Sequence, residues 1–86
     1  MSKIKLTNDR STFLTMYLEP WGEDFGMSPG DEFEIIAVDA SEDVHFHVIS
    51  EDNKLKLYVE GKVEEVTVYQ RDVELSCGHN RRKETW

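Results

Sequence analysis

The chain of 86 residues is short and acidic, with 18 Asp or Glu against 10 Lys or Arg and a formal net charge of −8. A chain of this length supports one hydrophobic core, so we expect a single domain. An acidic surface repels the phosphate backbone that dominates affinity for nucleic acids, which argues against a nucleic-acid-binding protein.

The first third of the chain alternates apolar and polar residues with the period of two that is typical of strands. Ile4 and Leu6 alternate with lysines and predict a first strand. Residues 13–19 have apolar or aromatic side chains on both faces, so we expect a central strand there, covered on both sides. Residues 20–27 break the alternation and predict a loop. Residues 28–31, Ser-Pro-Gly-Asp, have Pro and Gly where a type II turn requires them.

The same alternation predicts five further short strands, separated by polar turns such as residues 39–43 and by a reversal at residues 71–72. No segment favours a helix, because the one ambiguous stretch, residues 25–38, contains a proline, two glycines and β-favouring side chains. About seven short strands result in all. The five further segments are residues 33–37, 44–48, 55–59, 66–69 and 73–75.

These elements predict an all-β fold over residues 1–76, in the form of a single small antiparallel β-sandwich or partly open barrel. Each strand then buries one face against a second sheet. Residues 77–86 follow the last predicted strand and contain three consecutive basic residues. We expect them to form an extended C-terminal tail.

The charges are distributed unevenly along the chain. Between Ser11 and Asn53 there are eleven Asp or Glu and no Lys or Arg. Such asymmetry steers a basic partner towards one side of a protein. The simpler alternative is that acidic side chains on strand faces and turns only keep a small domain soluble.

Cellular location is indicated by apolar content and cysteine usage. No apolar run approaches the roughly 20 residues that span a bilayer, and the first residues lack the apolar region of a secretory signal. Cys77, the only cysteine, has no partner for an internal disulfide. We therefore expect a cytoplasmic protein without a membrane association, and the oligomeric state stays open.

Two large aromatic side chains, Trp21 and Phe25, flank Glu23 and Asp24 in the predicted loop. Exposed aromatic side chains ringed by polar groups are frequent anchors of protein interfaces. A small β-domain also uses such a side chain to close one end of its core. We expect Trp21 to cover the core with most of its ring and to leave accessible the edge beside Glu23 and Asp24. These four residues are the predicted site for a basic or amphipathic protein partner.

His45 and His47 share one face of their predicted strand. A metal site needs further ligands, and Cys77 and His79 are the remaining side chains with a nitrogen or sulfur ligand of the right kind. The C-x-x-C and H-x-x-x-H spacings that are typical of zinc sites do not occur. In the alternative interpretation both histidines are solvated, and Cys77 is a small buried thiol that continues the last strand.

Catalytic motifs are not found in the sequence. It contains no serine nucleophile elbow, no phosphate-binding glycine loop and no paired-carboxylate signature. We therefore expect no enzyme activity and no cofactor, and a core of alternating Leu, Val and Ile that folds without metal.

Three segments carry a resemblance over most of the chain: residues 18–25 (LEPWGEDF), residues 29–33 (PGDEF) and residues 77–81 (CGHNR). The chain resembles small uncharacterised bacterial proteins that have an LEPWGED(F/Y) segment, a PG turn into a strand and a terminal CGHNR. This resemblance implies an all-β fold and implies no activity.

Residues 45–51, His-Phe-His-Val-Ile-Ser-Glu, are similar to the first metal motif of the cupins, in which two His and a Glu hold a metal inside a jelly roll. The resemblance implies His45 and His47 as metal ligands. The glycine that opens the cupin motif is missing here, Gly61 lies too far along the chain, and the second cupin motif has no room.

Three functions are therefore open. We favour a non-catalytic binding domain that uses its acidic half and the Trp21 segment to bind a basic or amphipathic protein partner. The first alternative is a small metal-binding protein that uses His45 and His47, with Cys77 and His79 as further ligands. The second is a structural accessory domain without a separate activity.

Overall fold

The computed structural model describes residues 1–39 and 43–82, which form two facing β-sheets of four strands each. The predicted all-β fold is confirmed, since the described residues contain no helix and hence none that could cross a membrane. The strands are β1 (Ser2–Thr7), β2 (Leu14–Glu19), β3 (Glu23–Met27), β4 (Glu32–Asp39), β5 (His45–Glu51), β6 (Lys54–Glu60), β7 (Val63–Gln70) and β8 (Val73–Leu75).

The first sheet has the strand order β1-β4-β7-β8, and the second sheet has the order β3-β2-β6-β5. Neighbouring strands are antiparallel except β2 and β6, which are parallel. Of the two predicted architectures the sandwich is the one observed, because the described strands do not close into a barrel. The predicted central position of the second strand is confirmed, since β2 lies between β3 and β6. The expected cover on both sides was wrong, because only the face of Leu14, Met16 and Leu18 is buried.

The core is the apolar layer between the two sheets, and strand alternation places its side chains there. One apolar row crosses the whole first sheet, in which Ile4 lies opposite Ile35, Ile35 opposite Val68, and Val68 opposite Leu75. Removing these side chains from water stabilises the packing of one sheet on the other. The buried apolar residues are Leu14, Met16, Leu18, Phe25, Met27, Phe33, Ile35, Ala37, Leu57, Val59 and Val68.

The prediction of a loop over residues 20–27 was wrong for its last five residues, which form β3. Glu, Asp and Gly disfavour strands, so the local signal was weak. Pairing overrides that preference: Phe25 lies opposite Met16 of β2, and its side chain is 2% exposed. The residues that the structure describes therefore form eight strands rather than seven.

Two predicted turns are confirmed by their backbone geometry. The amide of Asp31 donates to the carbonyl of Ser28 at 3.0 Å, and Gly30 has φ +88°, as the third position of a type II turn requires. Arg71 and Asp72 have φ values of 50° and 64° between β7 and β8. Positive φ at both central residues is the signature of the type I′ turn that favours tight hairpins.

The buried side chain of Asn8 joins two connections that cross between the sheets. Its Nδ2 donates to the carbonyls of Thr12 (2.9 Å) and Met27 (3.0 Å), and its Oδ1 accepts from the amide of Arg10 at 3.1 Å. A buried amide with these partners avoids the cost of an unsatisfied polar group. It fixes the entry to β2 against the end of β3.

The first part of the predicted tail forms hydrogen-bonded turns and lies along the outer edge of β3. The amide of Gly78 donates to the carbonyl of Asp24, and the amide of Gly26 donates to the carbonyl of His79, both at 2.7 Å. The chain reverses there because Gly78 and Asn80 take the left-handed conformation, with φ 88° and 51°. Residues 83–86 of the predicted tail and residues 40–42 of the predicted polar break lie outside the described residues.

We expect Gly30→Val to lower the free energy of unfolding by about 1–3 kcal/mol, because a β-branched residue is strained at positive φ. No atom lies within 4 Å of the position of an added Cβ, so the cost comes from the backbone rather than from a clash. Urea denaturation followed by circular dichroism measures it. Gly30→Asn is the control and should cost less, since Asn tolerates this conformation. Wild-type stability of Gly30→Val would contradict the assigned turn.

A second glycine tests the docking of the C-terminal turn. A Cβ on Gly26 would overlap the backbone carbonyl of Asn80 and the ring of Phe13. We expect Gly26→Ala to displace residues 77–82 from β3 while the core between the sheets persists. Amide hydrogen exchange checks this: protection of the Gly78 amide should fall by much more than that of Ile35. Equal protection in variant and wild type would show that the turn adapts to the added methyl group.

Candidate functional site

A groove opens between β3 of the second sheet and strands β7 and β8 of the first sheet. It has two adjoining parts of about 200 Å³ and about 310 Å³, which share Glu23, Glu65 and Val66. Most of its accessible lining is polar, with glutamates along it, and buried apolar side chains of the core lie beneath. We call it the acidic groove; its main lining residues are Leu18, Trp21, Glu23, Phe25, Val63, Glu64, Glu65, Val66, Val68, Glu74 and Leu75.

The glutamates reach the acidic groove in different ways: strand parity accounts for Glu23 and a bulge for Glu64, whereas Glu65 and Glu74 border it from outward positions of β7 and β8. Glu23 belongs to the same alternating series as the core residue Phe25, but it lies at the start of β3, where the core ends. In β7 the register with β4 shifts between Val38 and Asp39, and this shift leaves Glu64 without a partner in β4. Such bulges redirect side chains at sheet margins.

The charges in the acidic groove have one sign. Among the lining residues that the structure describes are four glutamates and no Lys or Arg. Carboxylates of one sign in a concave, partly apolar surface concentrate a negative potential. The groove therefore attracts cationic groups and repels anionic ones.

Trp21 borders the first part of the acidic groove, together with Leu18 and Glu23. Its side chain is 49% exposed, so it is covered less than we expected from the sequence. Trp21 and Glu23 line the same part of the groove, whereas Asp24 is bound to Arg81. An indole that is half packed and half solvated keeps an apolar surface for a ligand without unfolding the domain.

The remaining two predicted binding residues have other environments. Phe25 is part of the core and contributes only to the floor of the groove. Asp24 points the other way and accepts two hydrogen bonds from Arg81, from Nε at 2.8 Å and from Nη2 at 2.6 Å. This paired contact lowers the pKa of Asp24 below its ordinary value, because the guanidinium favours the ionised carboxylate. Asp24 therefore secures the C-terminal turn.

The structure does not bring together the four residues predicted for the metal alternative. His45 and His47 lie on β5, at one edge of the second sheet, whereas Cys77 and His79 lie beyond β3 at its other edge. Three strand spacings of ~4.8 Å separate the two edges. Over residues 1–39 and 43–82, no group of three or more His, Cys, Asp or Glu is placed to hold a metal ion.

Cys77 and His79 also have different surroundings. Cys77 is exposed, with Sγ 3.8 Å from Oδ1 of Asp24. The prediction of a buried thiol was wrong, because the chain turns at Gly78 instead of continuing the strand. The ring of His79 packs edge-on against Phe33, with the ring centroids 6.0 Å apart.

Three residues that line the acidic groove were missed in the sequence: Glu64, Glu65 and Glu74. They lie after residues 11–53, the segment without Lys or Arg, in a part of the chain that also contains basic residues. Composition therefore gave no reason to assign them to a binding site. One signal was present, since the pair Glu64-Glu65 interrupts the alternation between Val63 and Val66. An interruption by one residue is the mark of a bulge.

Comparisons of the chain with protein-family models, with curated proteins and with solved structures give no match. The two resemblances seen in the sequence, to small bacterial all-β proteins and to the first cupin motif, therefore stay predictions.

Outside the groove, both ring nitrogens of His45 face oxygen atoms. Nδ1 lies 2.9 Å from the carbonyl oxygen of Asp43, and Nε2 lies 3.0 Å from Oε1 of Glu60. A neutral imidazole has one N–H, whereas the imidazolium has two and can donate to both oxygens. The hydrogen bond to Asp43 and the charge of Glu60 therefore raise the pKa of His45 above its ordinary value.

A raised pKa in the folded state makes stability depend on pH. The contacts of protonated His45 stabilise the folded state fully at pH values below the pKa of the unfolded chain, about 6.5. This contribution to the free energy of unfolding is lost as pH rises through the higher pKa of the folded state. We expect NMR titration to give His45 a higher pKa than an unfolded reference peptide, and Glu60→Gln to lower it. Glu74→Gln, which removes a distant glutamate, is the control. An unchanged His45 titration in Glu60→Gln would contradict the assigned contact.

Proposed function

We propose that this domain is a non-catalytic binding module that holds a basic or amphipathic segment of a protein partner in the acidic groove. One observation carries the proposal: the half-exposed ring of Trp21 stands at a groove with four glutamates and no basic residue among its described lining. This combination of an aromatic anchor and one sign of charge suits a partner with the opposite charge.

Each part of the groove matches one part of a Lys or Arg side chain. The glutamates accept hydrogen bonds from the cationic head group. The exposed face of Trp21 adds a cation–π contact, which is strongest with indole. The partly buried Val63 and Val66 pack against the methylene stem. An apolar residue next to the cation would occupy the part of the floor near Leu75.

The distribution of charge over the molecule also favours a directional encounter. Lys54 and Lys56 lie on β6, away from the groove, and the nearby Arg81 is paired with Asp24. The described lining of the acidic groove carries only negative charge, which steers a basic segment towards it. Because the contacts are exposed, added salt should weaken the binding.

The binding prediction is tested by fluorescence in a Trp86→Phe background, in which Trp21 is the only tryptophan. The probe is a short peptide of alternating Lys and Leu, and a peptide of alternating Glu and Leu serves as the negative control. We expect the Lys-Leu peptide to shift the emission of Trp21 in a saturable manner, and the Glu-Leu peptide to leave it unchanged. The shift should decrease with added salt.

Two charge-matched variants separate the groove from the net charge of the protein. Glu23→Gln/Glu65→Gln removes two charges from the groove, and Asp9→Asn/Asp72→Asn removes two charges outside it. We expect the first variant to lose at least tenfold in affinity, about 1.4 kcal/mol, and the second to bind nearly as wild type. Equal losses in the two variants, or no response of Trp21 to the Lys-Leu peptide, would refute the proposal.

A further inference from the structure

A second surface lies on the far side of the molecule from the acidic groove, at the outer edge of β5. We propose that two copies of this chain pair through their β5 strands, antiparallel and centred on Val48, to join their second sheets into one continuous sheet. The inference is independent of the proposed function, because β2 and β6 separate β5 from the groove strand β3.

The sandwich has four edge strands, and three of them are protected against such pairing. The edge of β3 is covered by the turn at residues 77–80, β8 has only three residues, and β1 carries Lys3 and Lys5. Covering, shortness and lysines are the usual means by which proteins prevent edge association. Strand β5 has seven residues with no Lys, Arg, Pro or Gly, and Val48 in its centre is 41% exposed.

Hydrogen bonds already made define which backbone groups of β5 are open. The amide of Thr15 donates to the carbonyl of Asn53, so the backbone groups of Asn53 face β2 and those of Lys54 face β5. Glu51, the partner of Lys54, faces β6 in turn. By alternation the groups of Phe46, Val48 and Ser50 point outwards. In the described part of the chain, these backbone groups make no hydrogen bond outside the pairing of β5 with β6, while the side-chain Oγ of Ser50 accepts one from Arg10 at 3.2 Å.

A two-fold axis at Val48 uses all three outward residues. Val48 then lies opposite Val48 of the second copy, and Phe46 lies opposite Ser50 in both directions, with two hydrogen bonds for each pair. The same register places His45 opposite Glu51, on the solvent face of the sheet. Opposite charges that face each other across paired strands are favourable. Glu51 of one copy would therefore add to the contact that His45 of the other copy already makes with Glu60. This complementarity favours a second copy over an unrelated strand.

The association is tested first on the wild-type protein by sedimentation equilibrium. We expect the mass to rise with concentration from that of one chain to twice that value. Val48→Lys should abolish the rise, because it places two lysines opposite each other at the axis. Val73→Lys, at an exposed valine of β8, should leave the rise unchanged. A wild-type protein that stays monomeric at every concentration overturns the proposal, as does loss of the dimer in Val73→Lys.

Disulfide formation tests the register, in a Cys77→Ser background. Across a hydrogen-bonded antiparallel pair the Cα atoms lie about 5.5 Å apart, within the range that a disulfide bridges. Val48→Cys should therefore cross-link two chains. Ser50→Cys should not, because its own copy lies four residues away along the strand, at roughly 13 Å. Equal cross-linking of the two variants, or none of either, would overturn the proposed pairing.

Discussion

The apolar layer between the two sheets is the interaction on which the rest of the structure depends. The chain crosses from one sheet to the other four times, between β1 and β2, β3 and β4, β4 and β5, and β6 and β7. Neither sheet is therefore a continuous stretch of sequence, and each buries its inner face only when the other is present. In a chain of 86 residues this layer is thin, because a small domain buries a modest fraction of its surface. The two walls of the acidic groove come from different sheets, so the groove exists only because this apolar layer holds the sheets together.

The acidic groove follows from how the core ends. On β3 the inward positions continue beyond the last buried side chain, from Phe25 to Glu23, whereas Glu65 of β7 occupies an outward position between the core-facing Val63 and Val66. The inward row that is buried at Phe25 thus reaches the wall of an open groove at Glu23, and Glu65 and Glu74 border the groove from the outward positions of β7 and β8. Trp21 stands at this transition, which explains why its ring is neither fully buried nor fully solvated. The groove and the core are thus two parts of one sheet-to-sheet interface.

The alternation of apolar and polar residues was enough to predict most of this fold, because a strand with one buried face has an apolar residue at every second position. It failed where pairing rather than residue preference determines the structure. The Glu-Asp-Phe-Gly-Met sequence of β3 has little strand preference and becomes a strand between β2 and residues 77–80. The contact of Asp24 with Arg81 spans 57 positions, and no sequence spacing indicates it. For the site, Trp21 and Glu23 were predictable as neighbours in sequence, whereas Glu65 and Glu74 reach the groove only through the topology.

The positions of the two proposed surfaces have a consequence for binding. Strand β5 and the groove strand β3 are the opposite edges of the second sheet, so pairing through β5 places the two acidic grooves at the far ends of a continuous eight-stranded sheet. Neither groove is covered by the association. A dimer of this shape is bivalent, and a partner that carries two basic segments at the matching separation binds the second one intramolecularly. Modest affinity at each exposed groove then becomes strong overall binding. Under the two proposals taken together, dimerisation through the open edge of β5 raises the effective affinity at the groove.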